Sequence, residues 1–163
     1  MDILHMPPIK GKKFLVVARC DLSGWVEARA LTAATSTLVT KFLWEDVVCR
    51  HGVFGKLMVD SGAENKGLVK TFTEKYGIKR VVISAYNSKA NGMIERGHRP
   101  IKAALAKLTN RGKGSWLESL HAVLLADRYT TKATTGLTPF YIIYSQEAVL
   151  PIELSIPTWQ VLE

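Results

Sequence analysis

The run YNSKANGMIERGHR, residues 86–99, carries one carboxylate, Glu95, among Lys89, Arg96 and Arg99. Small polar residues and Gly92 stand just ahead of it, an opening that a helix built only to pack does not need. Outward from this point, the stretch from Lys79 to Lys113 holds nine Lys or Arg and that single acid. With Glu95 as origin and about 100° per residue, Arg99 and Lys102 fall within roughly 40° of it, while Ile94, Ile101, Leu105 and Leu108 form a neighbouring apolar stripe. One face of the expected helix packs, and its shoulder presents an acid beside two bases.

The charge is uneven along the whole chain. Residues 1–113 carry 20 basic and 9 acidic side chains and residues 114–163 carry 2 and 5, within a formal net charge of +8. Such a one-sided positive field attracts polyanions, most commonly nucleic acid; on charge alone, a solvated basic surface accounts for it equally well. The 163 residues, 47% hydrophobic, suit one globular domain with a sizeable core. Cys20 and Cys49 make neither a disulfide framework nor a zinc site, and are expected to be buried thiols in a reducing compartment. No apolar run approaches a membrane span, and MDILHMPPIK lacks the apolar centre of a signal peptide, so an intracellular protein with no membrane partner is expected. His5, His51, His98 and His121 have no metal-ligand partner at a suggestive spacing, and no Gly-x-Ser-x-Gly elbow is present.

Hydrophobic periodicity orders the elements. Phe14–Cys20 and Trp25–Leu31 read as a hairpin around Asp21-Leu22-Ser23-Gly24. Leu38, Val39, Phe42, Leu43 and Val47 read as a helix from Thr35 to His51, closed by Gly52. Leu57–Val59 is a short strand ending at Asp60-Ser61-Gly62, and Leu68, Val69, Phe72 and Tyr76 make the next helix. Lys79–Ile83 is another strand. Helices follow at roughly 87–108 and 116–131, then a Pro-containing tail, with a first strand expected before Pro7. The order gives a mixed sheet flanked by helices, with Tyr76 and Trp116 as core aromatics.

Three acids fall where such a fold gathers side chains on one edge. Asp2 lies in the short apolar run at the start, Asp60 at a strand end, and Glu95 near the start of a long helix. Converging carboxylates repel unless cations neutralise them, and Mg²⁺ or Mn²⁺ accepts such oxygen ligands. Two ions about 3.5–4 Å apart support in-line displacement at phosphate. Asp21, also after a strand, reads instead as a turn-former whose side chain bonds its own backbone.

Asp60-Ser61-Gly62, followed by Tyr86-Asn87-Ser88-Lys89-Ala90-Asn91-Gly92-Met93-Ile94-Glu95-Arg96, resembles the catalytic core of retroviral-type integrases, particularly those of gypsy-class LTR retrotransposons. Asp2 with Met6-Pro7, the run FLVV from Phe14, DLSGWVE from Asp21 to Glu27, Trp116 before an Ala/Leu-rich helix, TGLTPF from Thr135 to Phe140, and Leu150-Pro151 extend the likeness over nearly the whole chain. The resemblance implies an RNase H-like fold with a five-stranded mixed sheet whose first strand is truncated. It implies a catalytic, metal-binding triad of Asp2, Asp60 and Glu95, two Mg²⁺ (or Mn²⁺) ions, and DNA contacts from Tyr86, Asn87, Lys89, Asn91, Arg96, Arg99 and Lys102. The partners implied are retroelement DNA ends, target DNA and further copies of the chain in a homodimer or higher oligomer, with no small-molecule substrate. The family's upstream zinc domain and downstream DNA-binding region are expected to be absent from residues 1–163.

Departures bear on that implication. Asp60 and Glu95 are separated by 34 residues, where the family has 35. Lys89 replaces a usual Gln, Pro100 predicts a kink near Arg96, and Glu64-Asn65 stands where many relatives carry an Asn or an aromatic residue. Asp2 is the second residue, which brings an α-amino group towards the expected metal site. The alternative reading is a non-catalytic nucleic-acid-binding or assembly module on the same fold.

Overall fold

Leu15, Val16 and Val17 are all fully buried, and their alternation sorts the molecule into layers. In the computed structural model, which describes residues 1–83, 100–109 and 114–150, they lie on β2 (Lys12–Arg19), between β1 (Asp2–Ile9) and β3 (Val26–Leu31) in an antiparallel sheet. Successive strand residues point to opposite faces. Val16 therefore joins one core with Leu31, Val39, Phe42, Val59 and Val69, while Leu15 and Val17 join another with Val26, Ile101, Leu105, Trp116 and Leu124. A sheet apolar on both faces needs a helical layer on each.

The first layer is α1 (Ser36–Phe42), continued by a π-helical turn (Leu43–Val48) and α2 (Cys49–His51), together with α3 (Leu68–Lys75). The Thr35 side chain caps α1 by accepting from the Leu38 N–H, and Gly52, at φ +80°, ends the run. The helix expected from Thr35 to His51 is present over that length with a wider turn inside it. The second layer is α4 (residues 100–108) and α5 (Trp116–Tyr129), the latter capped by Ser115. On α4, Ile101 and Leu105 are buried as expected, but Leu108, the last helical residue, is 59% exposed. Thr109 takes the inward place instead, its hydroxyl donating to the Leu105 carbonyl at 2.9 Å. The kink expected near Arg96 lies outside the described residues.

The first strand does not stop before Pro7; it runs to Ile9. Pro7 and Pro8 lack the N–H that a ladder uses, and the register shifts between His5 and Ile9. The Pro7 carbonyl is instead taken by Trp116 Nε1, which donates at 2.7 Å. Lys10 and Gly11 both have positive φ, +48° and +76°, as a two-residue hairpin of type I′ requires. The β2–β3 loop closes with Cys20 N–H to Trp25 O and Gly24 N–H to Cys20 O, both 2.9 Å. Cys20 in this loop and Cys49 on the outer side of its helix are both exposed, correcting the expectation of buried thiols: neither position faces a covered layer.

β4 (Lys56–Val59) and β5 (Lys79–Val82) pair in parallel, joined through a 3₁₀ turn (Ala63–Asn65) and α3. The five expected strands are present as a three-stranded antiparallel and a two-stranded parallel ladder, bridged where the Met1 ammonium donates to the Met58 carbonyl at 2.8 Å. The tail contains an element that periodicity did not reveal, α6 (Pro139–Tyr144), started by the Thr138 side chain and by Pro139 at its first turn. Among the described residues no helix is long and apolar enough to cross a membrane.

Candidate active site at the β1 and β4 edge

The bond from Met1 to Met58 sets the start of β1 against the end of β4. Asp2 opens β1 and Asp60 follows the last residue of β4, so the two strand ends that carry the predicted acids meet. The electrostatics agree. Burial holds the Met1 amine below its ordinary pKa, and the carboxylates of Asp2, Asp21 and Asp60 act on it in the opposite sense. The charges of Asp2, Asp21 and Asp60 all act on this one buried nitrogen.

Each of the two predicted acids is anchored through one oxygen. Asp2 Oδ1 accepts from the Ile3 N–H at 2.8 Å. Asp60 Oδ1 accepts from the Gly62 N–H at 3.0 Å and from Asn65 Nδ2 at 2.6 Å. Among the described residues neither Oδ2 has a donor. Hard oxygens fixed on one side and open on the other suit a divalent cation. No group of three metal-ligating side chains is assembled among the described residues; Glu95 lies outside them, as do Tyr86, Asn87, Lys89, Asn91, Arg96 and Arg99. Lys102 is exposed on α4, lining a groove with His5, Met6 and Pro7.

Asn65, which the sequence marked only as part of a departure, has a positioning role in the structure. It is fully buried at the end of the 3₁₀ turn; its side chain donates to Asp60 and its backbone carbonyl accepts from Arg80 at 3.1 Å, which ties the β4 end to β5. The signal available was an Asn five residues beyond an Asp-Ser-Gly turn. The Glu64 carboxylate lies against Gly62. Asp21 sits in the turn assigned to it, but Ser23 Oγ, not Asp21, makes the local bond, to the Trp25 N–H.

A second carboxylate cluster forms on the flank. Buried Glu27 accepts from Trp25 Nε1, Arg50 and Arg128 at 3.1, 3.2 and 2.9 Å, and His51 Nε2 lies 2.9 Å away. Arg128 also donates to the Val26 carbonyl and stacks over Trp25 at 4.6 Å. Asp46 binds Arg29 and Arg50 at 2.6 and 2.8 Å. These contacts lock β3 to α2 and α5. His51, which has no sequence-level role, is part of that lock.

With this geometry in hand, comparison with known proteins is informative. No protein-family model matches the chain. The Gag-Pol polyprotein of avian reticuloendotheliosis virus is 33% identical over 146 residues, 88% of this chain and 13% of that protein. The Pol polyprotein of radiation murine leukemia virus (strain Kaplan) is 36% identical over 140 residues, 85% and 24% of the two. This chain therefore spans a quarter or less of the length of these relatives. Among solved structures, the catalytic core domain of BIV integrase matches with a TM-score of 0.67 at 22% identity, over 86% of this chain and 90% of that one. A simian T-cell lymphotropic virus intasome, solved in complex with PP2A regulatory subunit B56 gamma, matches at 0.76 and 19% identity, over 92% and 56%.

Two helical layers around a mixed sheet, with acids at adjoining strand ends, define an RNase H-like α/β domain. Within that class, the chain is similar in fold to retroviral integrase structures and in sequence to a segment of retroviral Pol polyproteins.

Proposed function

We propose that this domain is a polynucleotidyl transferase core that processes retroelement DNA ends and joins them to target DNA, with Asp2, Asp60 and Glu95 as its catalytic carboxylates. The observation that carries the reading is the meeting of Asp2 and Asp60 at the β1 and β4 ends, each anchored through one oxygen and open at the other. In the displacement, an oxygen of water or of a DNA 3′-hydroxyl forms a new P–O bond, the old P–O bond breaks, and the leaving 3′-oxygen takes up a proton. No covalent protein–DNA intermediate is needed.

Two Mg²⁺ or Mn²⁺ ions held by the three acids would activate the attacking oxygen and stabilise the leaving one. The chain's own contribution is positioning. The Ile3 and Gly62 N–H groups and the Asn65 amide aim the Asp2 and Asp60 carboxylates. Tyr86, Asn87, Lys89, Asn91, Arg96, Arg99 and Lys102 would hold DNA, largely through its phosphates. A homodimer or higher oligomer acting on chromosomal DNA in the nucleus completes the proposal; the intasome among the structural matches supports assembly on DNA.

The test is Mn²⁺-dependent cleavage and joining of a branched DNA, comparing the chain with its Glu95→Gln variant. Activity that disappears in the variant is the expected result. Salt-sensitive DNA binding with no activity in either protein would overturn it in favour of a non-catalytic binding module.

A further inference from the structure

Beside Asp60 lies a basic hollow that the predicted DNA contacts do not include. It has a volume of about 300 Å³ and is lined by Asp60, Ser61 and Gly62 on one side and by Lys66, Lys70 and Arg80 on the other. The three cations reach it from different elements. Lys66 follows the 3₁₀ turn, Lys70 is four residues further on in the first turn of α3, and Arg80 is on β5. All three line the same hollow.

Their charge is poorly neutralised. Lys66 has no acidic partner among the described residues, and Lys70 reaches only the exposed Glu74, at 3.8 Å. Arg80 is pinned by one nitrogen to the Asn65 carbonyl, leaving the rest of its planar fork available. Asp60 is the one carboxylate lining the hollow. Lys66 and Lys70 are exposed, whereas the buried carboxylates Glu27 and Asp46 are closely neutralised by cations. Three cations against one acid, in a concavity, repel one another until an anion enters.

We infer that Lys66, Lys70 and Arg80 form a subsite for a backbone phosphate of the DNA whose reacting phosphodiester lies at Asp60. The inference rests on the proposed function and extends it to a substrate contact on the β5 side of Asp60. Arg80 presents a fixed fork while the two lysines supply mobile point charges, a combination that grips phosphate without reading sequence. Because Arg80 and Asp60 are both held by Asn65, the phosphate grip and the carboxylate share one support.

The test measures binding of a fluorescent branched DNA across a salt series without divalent metal, so that it does not depend on catalysis. The chain is compared with Lys66→Gln/Lys70→Gln, with the charge-preserving Lys66→Arg/Lys70→Arg, and with Lys12→Gln/Lys13→Gln, which removes the same charge from the distant β1–β2 hairpin. Loss of one phosphate contact lowers the slope of log K against log salt by about 0.9 and weakens binding roughly five- to tenfold near 0.1 M salt. The expected result is that loss in the Lys66/Lys70 glutamine variant alone, with the arginine variant retaining binding and thermal midpoints matching throughout. An unchanged slope in the Lys66/Lys70 glutamine variant, or an equal loss in the hairpin control, would overturn the subsite. If binding falls as expected while no variant or parent joins DNA in Mn²⁺, the phosphate subsite stands and the strand-transfer reading fails.

Discussion

Glu27 lies on β3 of the antiparallel ladder and Asp60 just past β4 of the parallel one, and the chain treats these two carboxylates in opposite ways. Glu27 is closed: four of the chain's own groups, Trp25, Arg50, His51 and Arg128, occupy its two oxygens. Asp60 is open: backbone and amide donors fix one oxygen, and the nearest cations line a hollow instead of pairing with it. Ionic groups that hold elements together are satisfied internally, because an unpaired buried charge is costly. Groups that act on a substrate must be aimed and left incomplete. The contrast separates a carboxylate closed by its own chain from one left open to a ligand.

Breaking the open side should have the largest effect on function. Asp60→Asn keeps the shape and removes the charge, so Mn²⁺-dependent joining of branched DNA should fall by about 10³-fold, the scale of several kcal/mol of lost charge stabilisation. Its denaturation midpoint should hardly move. A joining rate within a few-fold of the parent would remove Asp60 from the chemistry.

Breaking the closed side should reverse that pattern. Glu27→Gln leaves Arg50 and Arg128 beside a neutral amide, which should cost about 3–5 kcal/mol of stability, read from urea unfolding. Unchanged stability would mean that the lock between β3, α2 and α5 is held by packing alone.

Asn65→Ala sharpens the comparison because Asn65 belongs to the support of the open site. Loss of the side-chain bond to Asp60, while the backbone carbonyl that Arg80 uses remains, should lower stability by about 1–3 kcal/mol. Joining should fall well beyond what that instability explains, since the Asp60 carboxylate is no longer aimed. If activity of the folded fraction is normal, Asn65 serves the fold only.

The smallest effect expected is on acid stability. Asp127 pairs with Arg19 at 2.8 Å and Lys132 at 3.1 Å. Burial alone would raise its pKa, but the hydrogen bond and charge of Arg19, then of Lys132, hold it below the ordinary 3.8. A depressed carboxyl pKa contributes stability that is fully present above the unfolded value and is lost as pH falls through the folded one. Stability should therefore decline below about pH 4, and Asp127→Asn should flatten that decline. Equal acid sensitivity in the variant would place the titration elsewhere.

Sequence periodicity alone carried the order of strands and helices, because burial on a two-faced strand or a one-faced helix writes itself into the spacing of apolar residues. Val16 against Leu15 and Val17, and Ile101 with Leu105, are examples. The acids at strand ends were legible for the same reason: an element boundary is a local feature. The retroviral-type likeness was legible through motifs dispersed in the right order from Asp2 to Leu150.

What the tertiary structure decided were relations between distant residues. Cys49 lies on a helix face that no layer covers, and Pro7 remains within a strand because Trp116, 109 residues away, takes its carbonyl. The four partners of Glu27 come from the β2–β3 loop, α2 and α5, and Asn65 acquires meaning only when Asp60 and Arg80 are seen on either side of it. Charge and propensity are properties of a residue and its neighbours in the chain. Whether a carboxylate is closed by cations or left open beside them depends on which surfaces the fold brings together, and that is set by packing across the whole domain.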